Sequence, residues 1–173
     1  MSTVHKTSVA NEFVAANQQY AAKFTKRDLP MPPGRKVAVV VCMDARIDPA
    51  RALGLEEGDA HVIRNAGGRA EDAIRSLAIS QELLGTREIV VIHHTDCGML
   101  TFTNDVIRQK LDEDLGSEAG TAARKIDFLP FPDVDQSVRD DVAAIKASPL
   151  LRKDVPVSGF VYDVKTGRIN QVA

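Results

Sequence analysis

The stretch that decides the fold is Lys36 to Cys42, which reads KVAVVVC. A short run made almost entirely of β-branched residues is typical of a strand buried on both faces. A second run of this kind, Glu88 to His93, reads EIVVIH, and a shorter one, Ala60 to Arg64, lies between them in the chain. These three runs predict the strands of a central sheet.

Helical patterns follow these strands. The sequence NAGG at 65–68 predicts a turn that opens a helix from about Ala70 to Leu84, which Gly85 ends. A further helix is expected to start near Met99, and another to cover Val134 to Ala147. Because strand and helix alternate, we expect right-handed crossovers and a mostly parallel sheet flanked by helices, which is an α/β fold.

The alternation of strand and helix patterns becomes less clear after the helix predicted to start near Met99. Asp112 to Asp133 contains Gly, Ser, Ala and two prolines, and it predicts a long surface loop with at most a short helical turn. Val155 to Val164 reads VPVSGFVYDV and runs into Lys-Thr-Gly at 165–167. This segment predicts an edge strand that enters a hairpin-type turn.

The N-terminal segment predicts a separate arm. Residues 7–24 form an amphipathic helical pattern, and the proline-rich connector Leu29 to Gly34 separates them from the rest. We therefore divide the chain into an arm with its connector, residues 1–34, and one α/β domain, residues 35–173. The arm either folds back on its own domain or packs on a neighbouring subunit. Its apolar stripe consists of Val9, Phe13, Ala16, Tyr20 and Phe24.

Composition excludes several functional classes. The 173 residues carry a net charge of −2 without a basic stripe, which argues against nucleic acid as a partner. The longest apolar run, Val37 to Met43, is far shorter than the roughly 20 residues that a bilayer-spanning helix needs. The first residues show no apolar core of a secretory signal, so we expect a cytoplasmic protein.

The two cysteines of the chain lie at predicted strand ends. Cys42 closes the first buried strand, and Cys97 follows the third in His-His-Thr-Asp-Cys-Gly at 93–98. The carboxyl ends of parallel strands are where open α/β sheets bind ligands. Two thiolates and the imidazole of His94 suit Zn²⁺ and leave a fourth position open, as in catalytic zinc sites. Either cysteine alone would favour an inert core residue, since free cysteine is commonly buried, but the two together at strand ends favour the metal site.

Asp44 and Arg46 extend this candidate site. A carboxylate two residues after a metal thiolate can reach the metal, and a nearby arginine can hold it away through paired hydrogen bonds. This pair predicts a gate, in which Asp44 either blocks the open position or leaves it free for water. The alternative is an ordinary surface ion pair of small energetic value.

Three motifs together resemble the β-class carbonic anhydrases: Cys-x-Asp-x-Arg at 42–46, Val-Ile-Arg-Asn-Ala-Gly at 62–67 and His-x-x-Cys-Gly at 94–98. The resemblance implies a bound Zn²⁺ and an N-terminal arm that packs on a partner subunit in a homodimer or a dimer of dimers. It also implies the site residues: zinc ligands Cys42, His94 and Cys97, and a catalytic dyad of Asp44 and Arg46, with Asp44 as a fourth ligand in a closed state.

The departures from this family pattern narrow the resemblance. Ala45 precedes Arg46 where the family commonly has serine, and His93 and Met99 replace two glycines around the second ligand pair. These features are similar to a compact subgroup that includes carbonyl sulfide hydrolases as well as carbonic anhydrases.

The implied reaction is attack of metal-bound hydroxide on a linear heterocumulene. The substrate is CO₂, hydrated to bicarbonate, or carbonyl sulfide, hydrolysed to CO₂ and H₂S, and the sequence does not choose between them. The backbone of Ala66, Gly67 and Gly68 is predicted to bind substrate, although a plain strand-to-helix turn explains these glycines equally well. His61 and His93 are candidate proton relays, with a packed structural histidine as the alternative for each.

Two other functional classes remain open. A metal-free cysteine nucleophile would need a Cys-x₅-Arg type loop, and Cys42 is instead followed by arginine after four residues, at Arg46. A catalytically inactive interaction protein is the third possibility, which the intact Cys, His, Asp and Arg set argues against.

Overall fold

The structure is a computed structural model that describes residues 8–173. The chain divides into two compact units, with the division between Pro30 and Met31. Within the described range, the helices are all too short or too polar to cross a lipid bilayer.

The first unit contains helix α1, Val9–Ala21. The side chain of Ser8 caps its N-terminus by accepting a hydrogen bond from the backbone N–H of Ala10. The observed helix is shorter than the predicted residues 7–24, and position 7 lies outside the described residues. None of the α1 side chains is buried.

The second unit is built on a five-stranded sheet with the order β2-β1-β3-β4-β5. The β1–β2, β1–β3 and β3–β4 pairs are parallel, and β4–β5 is antiparallel. This architecture confirms the α/β fold with a mostly parallel sheet. The strands are β1 Val37–Cys42, β2 Ala60–Asn65, β3 Glu88–His94, β4 Val157–Tyr162 and β5 Ile169–Gln171.

Helices connect these strands, and three short 3₁₀ turns occur at 66–68, 71–73 and 98–100. The predicted helix at 70–84 is present as a 3₁₀ turn followed by α3, and the helix predicted over 134–147 is present with those bounds. The helices after α1 are α2 Pro49–Leu53, α3 Ile74–Glu82, α4 Asn104–Leu115, α5 Ser117–Ala123 and α6 Val134–Ala147.

Two predictions for the second half were wrong. The region 112–133 is not mainly a loop, because α4 continues to Leu115 and α5 follows after Gly116, whose φ of 94° breaks the helix. The helix expected near Met99 begins only at Asn104, where the Thr103 side chain accepts a hydrogen bond from the backbone N–H of Val106. Few side chains of α4 and α5 are buried, so their apolar pattern is weak.

The edge-strand prediction for 155–164 was also wrong. β4 pairs with β3 on one side and with β5 on the other, so β5 forms the edge. The hairpin itself is present, and the Asp163 N–H donates to Arg168 O at 2.8 Å across its turn. β5 has three exposed residues, which leaves no hydrophobic alternation to reveal it.

The sheet separates two apolar clusters. On one face, Leu77 of α3 and Val138 of α6 pack with β1, β3 and β4. The other cluster contains Cys42, Cys97 and their apolar neighbours at the carboxyl end of the sheet. The two cysteines are therefore packed among apolar side chains in the hydrophobic core.

Candidate metal centre

Cys42, His94 and Cys97 converge at the carboxyl ends of two adjacent strands. β1 and β3 pair in parallel, with Val41 opposite Ile92, so their last residues lie side by side. The sulfur atoms and a ring nitrogen of the three side chains lie within 4.8 Å of one another, and all three residues are buried. Among residues 8–173 this is the one such cluster of His, Cys, Asp or Glu.

A tight turn brings Cys97 back towards His94. Asp96 adopts a φ of 54°, which reverses the chain between the two side chains. Thr95 fixes this turn to the neighbouring strand, since its N–H donates to Tyr162 O at 2.9 Å and its hydroxyl accepts from Val164 N–H at 3.1 Å. The turn is therefore anchored to the neighbouring strand at the carboxyl end of the sheet.

The ring of His94 is oriented for a metal. Its Nδ1 lies 2.9 Å from the carbonyl oxygen of Thr95, which can only accept, so Nδ1 carries the hydrogen and Nε2 carries the lone pair. Nε2 is buried and has no hydrogen-bond partner among the described residues. A carbonyl behind one ring nitrogen and a free lone pair on the other is the arrangement of metal-binding histidines.

The two cysteine sulfurs shift each other's pKa in opposite directions. The thiol of Cys97 donates to Cys42, which lowers the pKa of Cys42 to about 4 although burial opposes this shift. The same hydrogen bond, together with burial, raises the pKa of Cys97. Two buried sulfurs thus lie close to a buried imidazole nitrogen that has no hydrogen-bond partner among the described residues. This donor set fits a divalent metal ion.

The Asp44 carboxylate lies beside the cluster and is held by Arg46. The Arg46 backbone N–H and Nε donate to Oδ1 at 2.8 and 3.0 Å, and Nη2 donates to Oδ2 at 2.8 Å. These hydrogen bonds hold the pKa of Asp44 well below its usual range. Oδ2 lies 3.8 Å from His94 Nε2. The structure thus shows Asp44 paired with Arg46 and within reach of the cluster.

Asp96 holds Arg46 from the other side and was missed in the sequence. Nη1 donates to Asp96 Oδ2 at 2.7 Å, and Nη2 donates to the Asp96 carbonyl oxygen at 2.9 Å. Arg46 therefore joins the 42–46 loop to the turn between the second pair of cluster residues. A carboxylate placed between His94 and Cys97 in sequence was the available signal.

Arg64 is a second contributor that the sequence analysis left without a role. Its Nε and Nη2 donate to the Cys42 carbonyl oxygen at 3.1 and 2.9 Å, and Nη2 also donates to the Asp44 carbonyl oxygen at 2.8 Å. These bonds fix the backbone that carries both Cys42 and Asp44. Its position in the Val-Ile-Arg-Asn-Ala-Gly motif at 62–67 was the available signal.

The cluster opens into a pocket of about 290 Å³. Ala66 and Gly67 line it, whereas Gly68 lies behind its wall against the backbone of Cys42. Phe102, which no sequence pattern indicated, forms part of the apolar lining. The lining residues are Cys42, Met43, Asp44, Ala66, Gly67, Cys97, Gly98, Met99 and Phe102.

Gly68 should be intolerant of a side chain. It has a φ of +70°, and a Cβ there would lie 2.8 Å from the Cys42 backbone nitrogen and 3.0 Å from Ile92 O. We expect Gly68→Ala to lower the free energy of unfolding in urea by about 3 kcal/mol or more, from strain and overpacking together.

Gly85→Ala is the matched control for that change. Gly85 also has a positive φ, +74°, but nothing lies within 4 Å of its added Cβ. It should therefore cost only about 1 kcal/mol. Equal losses in the two variants would show that the close approach of Gly68 to Cys42 carries no energy.

The two histidines considered as proton relays lie outside the pocket lining. His93 is completely buried and lies within hydrogen-bonding distance of Ser137, Gly68 O and Asp141. His61 lies 2.7 Å from Ser80 Oγ and pairs in register with Ala38, four residues before Cys42. Both positions favour a packed structural histidine over a proton relay.

Comparisons with known proteins agree with this geometry. A family model described as carbonic anhydrase matches residues 37–169. Beta-carbonic anhydrase 1 of Mycobacterium tuberculosis is 47% identical over 166 residues, covering 95% of this chain and 98% of the relative. A carbon disulfide hydrolase of Acidithiobacillus thiooxidans is 36% identical over 162 residues, covering 83% and 80%.

A solved structure shows the same relationship. The carbonic anhydrase from Glaciozyma antarctica has 51% sequence identity, a TM-score of 0.89 and full coverage of both chains. The matched region contains strands β1 to β4 with the residues of the cluster. The chain therefore belongs to the β-carbonic anhydrase family and is an enzyme of that type.

Proposed function

We propose that this chain is a zinc-dependent carbonic anhydrase that hydrates CO₂ to bicarbonate, with Cys42, His94 and Cys97 as the zinc ligands. The observation that carries the proposal is the buried cluster, in which two sulfurs and a ring nitrogen lie within 4.8 Å of one another and His94 Nε2 has no hydrogen-bond partner within residues 8–173. Two sulfur donors and one imidazole nitrogen match the preference of Zn²⁺ over harder cations. Three protein ligands leave one tetrahedral position for solvent.

When bound, Zn²⁺ supplies Lewis acidity, which lowers the pKa of water from about 15.7 to around 7 and provides a nucleophile at neutral pH. The protein residues orient that nucleophile. Asp44 is ionised at neutral pH because Arg46 lowers its pKa, so its Oδ2 accepts a hydrogen bond from the nucleophile and does not donate one. This hydrogen bond would orient the nucleophile so that a lone pair points into the pocket, which Asp44 lines.

Arg46 decides whether the open position stays open. It occupies both oxygens of Asp44 and is itself held by Asp96. A carboxylate held by these hydrogen bonds would lose them if it moved onto a metal ion. We infer that the arrangement seen here is the active state, and that the closed state requires Asp44 to leave Arg46.

The length and the closeness of the carbonic anhydrase relatives favour CO₂ as the substrate. This chain and the mycobacterial carbonic anhydrase match over nearly their full lengths at 47% identity, against 36% for the carbon disulfide hydrolase over a smaller share of each. A sulfur-containing heterocumulene is the second candidate, because Met43, Met99 and Phe102 give the pocket an apolar lining that suits sulfur.

A direct comparison of substrates tests this assignment. Purified protein of measured zinc content is assayed for CO₂ hydration by stopped flow with a pH indicator, and for H₂S release from carbonyl sulfide and carbon disulfide. We expect the kcat/KM for CO₂ to exceed the other two values by at least about tenfold. Hydration at the uncatalysed rate by fully zinc-loaded protein would overturn the proposal, and faster H₂S release would favour the second candidate.

We also propose that α1 and its connector, residues 1–34, form a dimerisation arm. None of the α1 side chains is buried, and Phe13 is 69% exposed. An apolar stripe of this kind on a well-formed helix is most simply covered by a second copy of the chain. Homodimers are the commonest assembly of soluble proteins.

A charge placed on the stripe tests the arm. We expect Phe13→Asp to convert a dimer into a monomer at micromolar concentration, measured by size-exclusion chromatography with light scattering. Gln18→Asp adds the same charge about 140° away around α1 and should leave the dimer intact. A monomeric wild-type chain, or a Phe13→Asp variant that stays dimeric, would refute this role.

A further inference from the structure

A buried polar network lies directly behind the wall of the pocket, and the proposed reaction makes no use of it. Its centre is Asp141 on α6, which is 3% exposed. Asp141 Oδ1 accepts from Arg69 Nη2 at 2.8 Å, and Oδ2 accepts from Arg69 Nε at 3.1 Å. Oδ2 also accepts from the backbone N–H of Ala70 at 2.9 Å. A carboxylate with this many donors is firmly fixed in position.

His93 connects the same carboxylate to Gly68. Its Nε2 lies 3.1 Å from Asp141 Oδ2 and 3.2 Å from the Gly68 carbonyl oxygen. Both of these oxygens only accept, so Nε2 carries a hydrogen and bridges them. The other ring nitrogen lies 2.7 Å from Ser137 Oγ. The imidazole is thus held at both ends and cannot rotate away from the turn.

Arg69 extends the network to the segment that supports Met99. Its Nη1 donates to the Leu129 carbonyl oxygen at 3.0 Å, and its guanidinium lies over the Phe131 ring. The backbone N–H of Phe131 in turn donates to the Met99 carbonyl oxygen at 3.2 Å. Met99 and Gly67 both line the pocket.

The network holds the turn at 66–68 next to the candidate metal ligand Cys42. Gly67 and Cys42 both line the pocket. Gly68 approaches Cys42 so closely that a Cβ would lie 2.8 Å from its backbone nitrogen. Asn65 fixes the other side of the turn, with its side chain bonded to both the N–H and the carbonyl of Arg69.

We propose that Asp141 is a positioning residue of the metal centre, which acts through Arg69 and His93 to hold the turn at 66–68 against the backbone of Cys42. This inference rests on the proposed function, in that Cys42 must be a zinc ligand. Groups that orient a ligand in this way typically contribute ten- to hundredfold to metal affinity. The role of Asp141 is therefore preorganisation of a ligand, in addition to its contribution to folding.

The test measures the metal site itself. Wild-type protein, Asp141→Asn and the milder Arg69→Lys are compared for zinc affinity by chelator competition, at a temperature where all are folded. We expect a ten- to hundredfold weaker zinc affinity for Asp141→Asn and a smaller loss for Arg69→Lys. In the cobalt-substituted proteins, the sulfur-to-cobalt charge-transfer band should move, because the backbone that carries Cys42 is no longer held in place by the turn.

Val142→Ala is the matched control for stability. Val142 follows Asp141 on α6 and packs in the apolar cluster of Leu77 and Val138, on the other face of the sheet from the two cysteines. It should lower the unfolding temperature while the zinc affinity and the cobalt spectrum stay unchanged. If Asp141→Asn does not fold, Arg69→Lys alone decides the matter.

The outcomes separate this inference from the proposed function. A wild-type chain that binds no zinc overturns both. A wild-type chain that binds zinc, with folded variants whose zinc affinity stays within twofold and whose cobalt band does not move, overturns the role of Asp141 alone. A loss of affinity in Val142→Ala equal to that in Asp141→Asn would show a general stability effect, and would also overturn it.

Discussion

His94→Ala should lose the metal and lower the kcat/KM for CO₂ hydration by at least roughly 10³-fold. The physical reason is that His94 Nε2 is the only nitrogen donor of the cluster, and two sulfurs alone do not complete a zinc site that keeps an open position. The measurement is zinc content by atomic emission on dialysed protein, together with stopped-flow hydration.

His61→Asn is the matched control for the loss of a histidine. His61 lies on β2, away from the carboxyl end of the sheet, and lines no part of the pocket. Its variant should keep one zinc per chain and nearly full activity. A His94→Ala protein that retains stoichiometric zinc and hydrates CO₂ at the wild-type rate would exclude His94 as a ligand.

Arg46→Ala should keep its zinc and still lose activity, by roughly 10²-fold in kcat/KM. Without the Arg46 side chain, the Asp44 carboxylate loses two hydrogen bonds, and its Oδ2 lies only 3.8 Å from His94 Nε2. A free carboxylate at that distance is a good zinc ligand and would occupy the open position. The readouts are zinc content and the rate of CO₂ hydration.

A second substitution distinguishes this blockade from simple loss of a charge. Asn is a poorer zinc ligand than Asp, so Asp44→Asn introduced into the Arg46→Ala protein should restore part of the lost activity. The same Asp44→Asn change in the wild-type background should lower activity, since an orienting acceptor is lost. If the double variant is less active than Arg46→Ala, Asp44 does not block the site.

The sequence was sufficient to predict the centre of the fold, because the buried strands have unambiguous patterns. β1 and β3 are continuous apolar runs, and their carboxyl ends carry the residues that the structure brings together. The neighbouring position of these strands is what joins Cys42 to His94, and alternation of strand and helix was enough to predict parallel pairing. The family resemblance rests on these same strand ends.

The second half was predicted less well because its elements bury little surface. α4 and α5 are amphipathic helices with few buried side chains, and their pattern resembles that of a polar loop. β5 has no buried residue, so β4 looked like an edge although it is covered on both sides. In such segments, tertiary pairing decides the structure and local periodicity carries little information.

The supporting residues of the site could not be found from sequence for a related reason. Asp96 and Asp141 lie far from Arg46 and Arg69 in the chain, and only the folded structure brings each pair together. His93 looked like a proton relay because it adjoins His94. The alternation of side chains along β3 places it on the opposite face, among buried polar partners.

The central claim is that two sulfurs and one imidazole hold a zinc ion with one position left to solvent. Zinc K-edge X-ray absorption on the purified protein tests it most directly, combined with the zinc content. We predict one zinc per chain, with two sulfur neighbours at about 2.3 Å and two nitrogen or oxygen neighbours at about 2.0–2.1 Å. Zinc far below one per chain, or a zinc ion without two sulfur neighbours, would contradict the account.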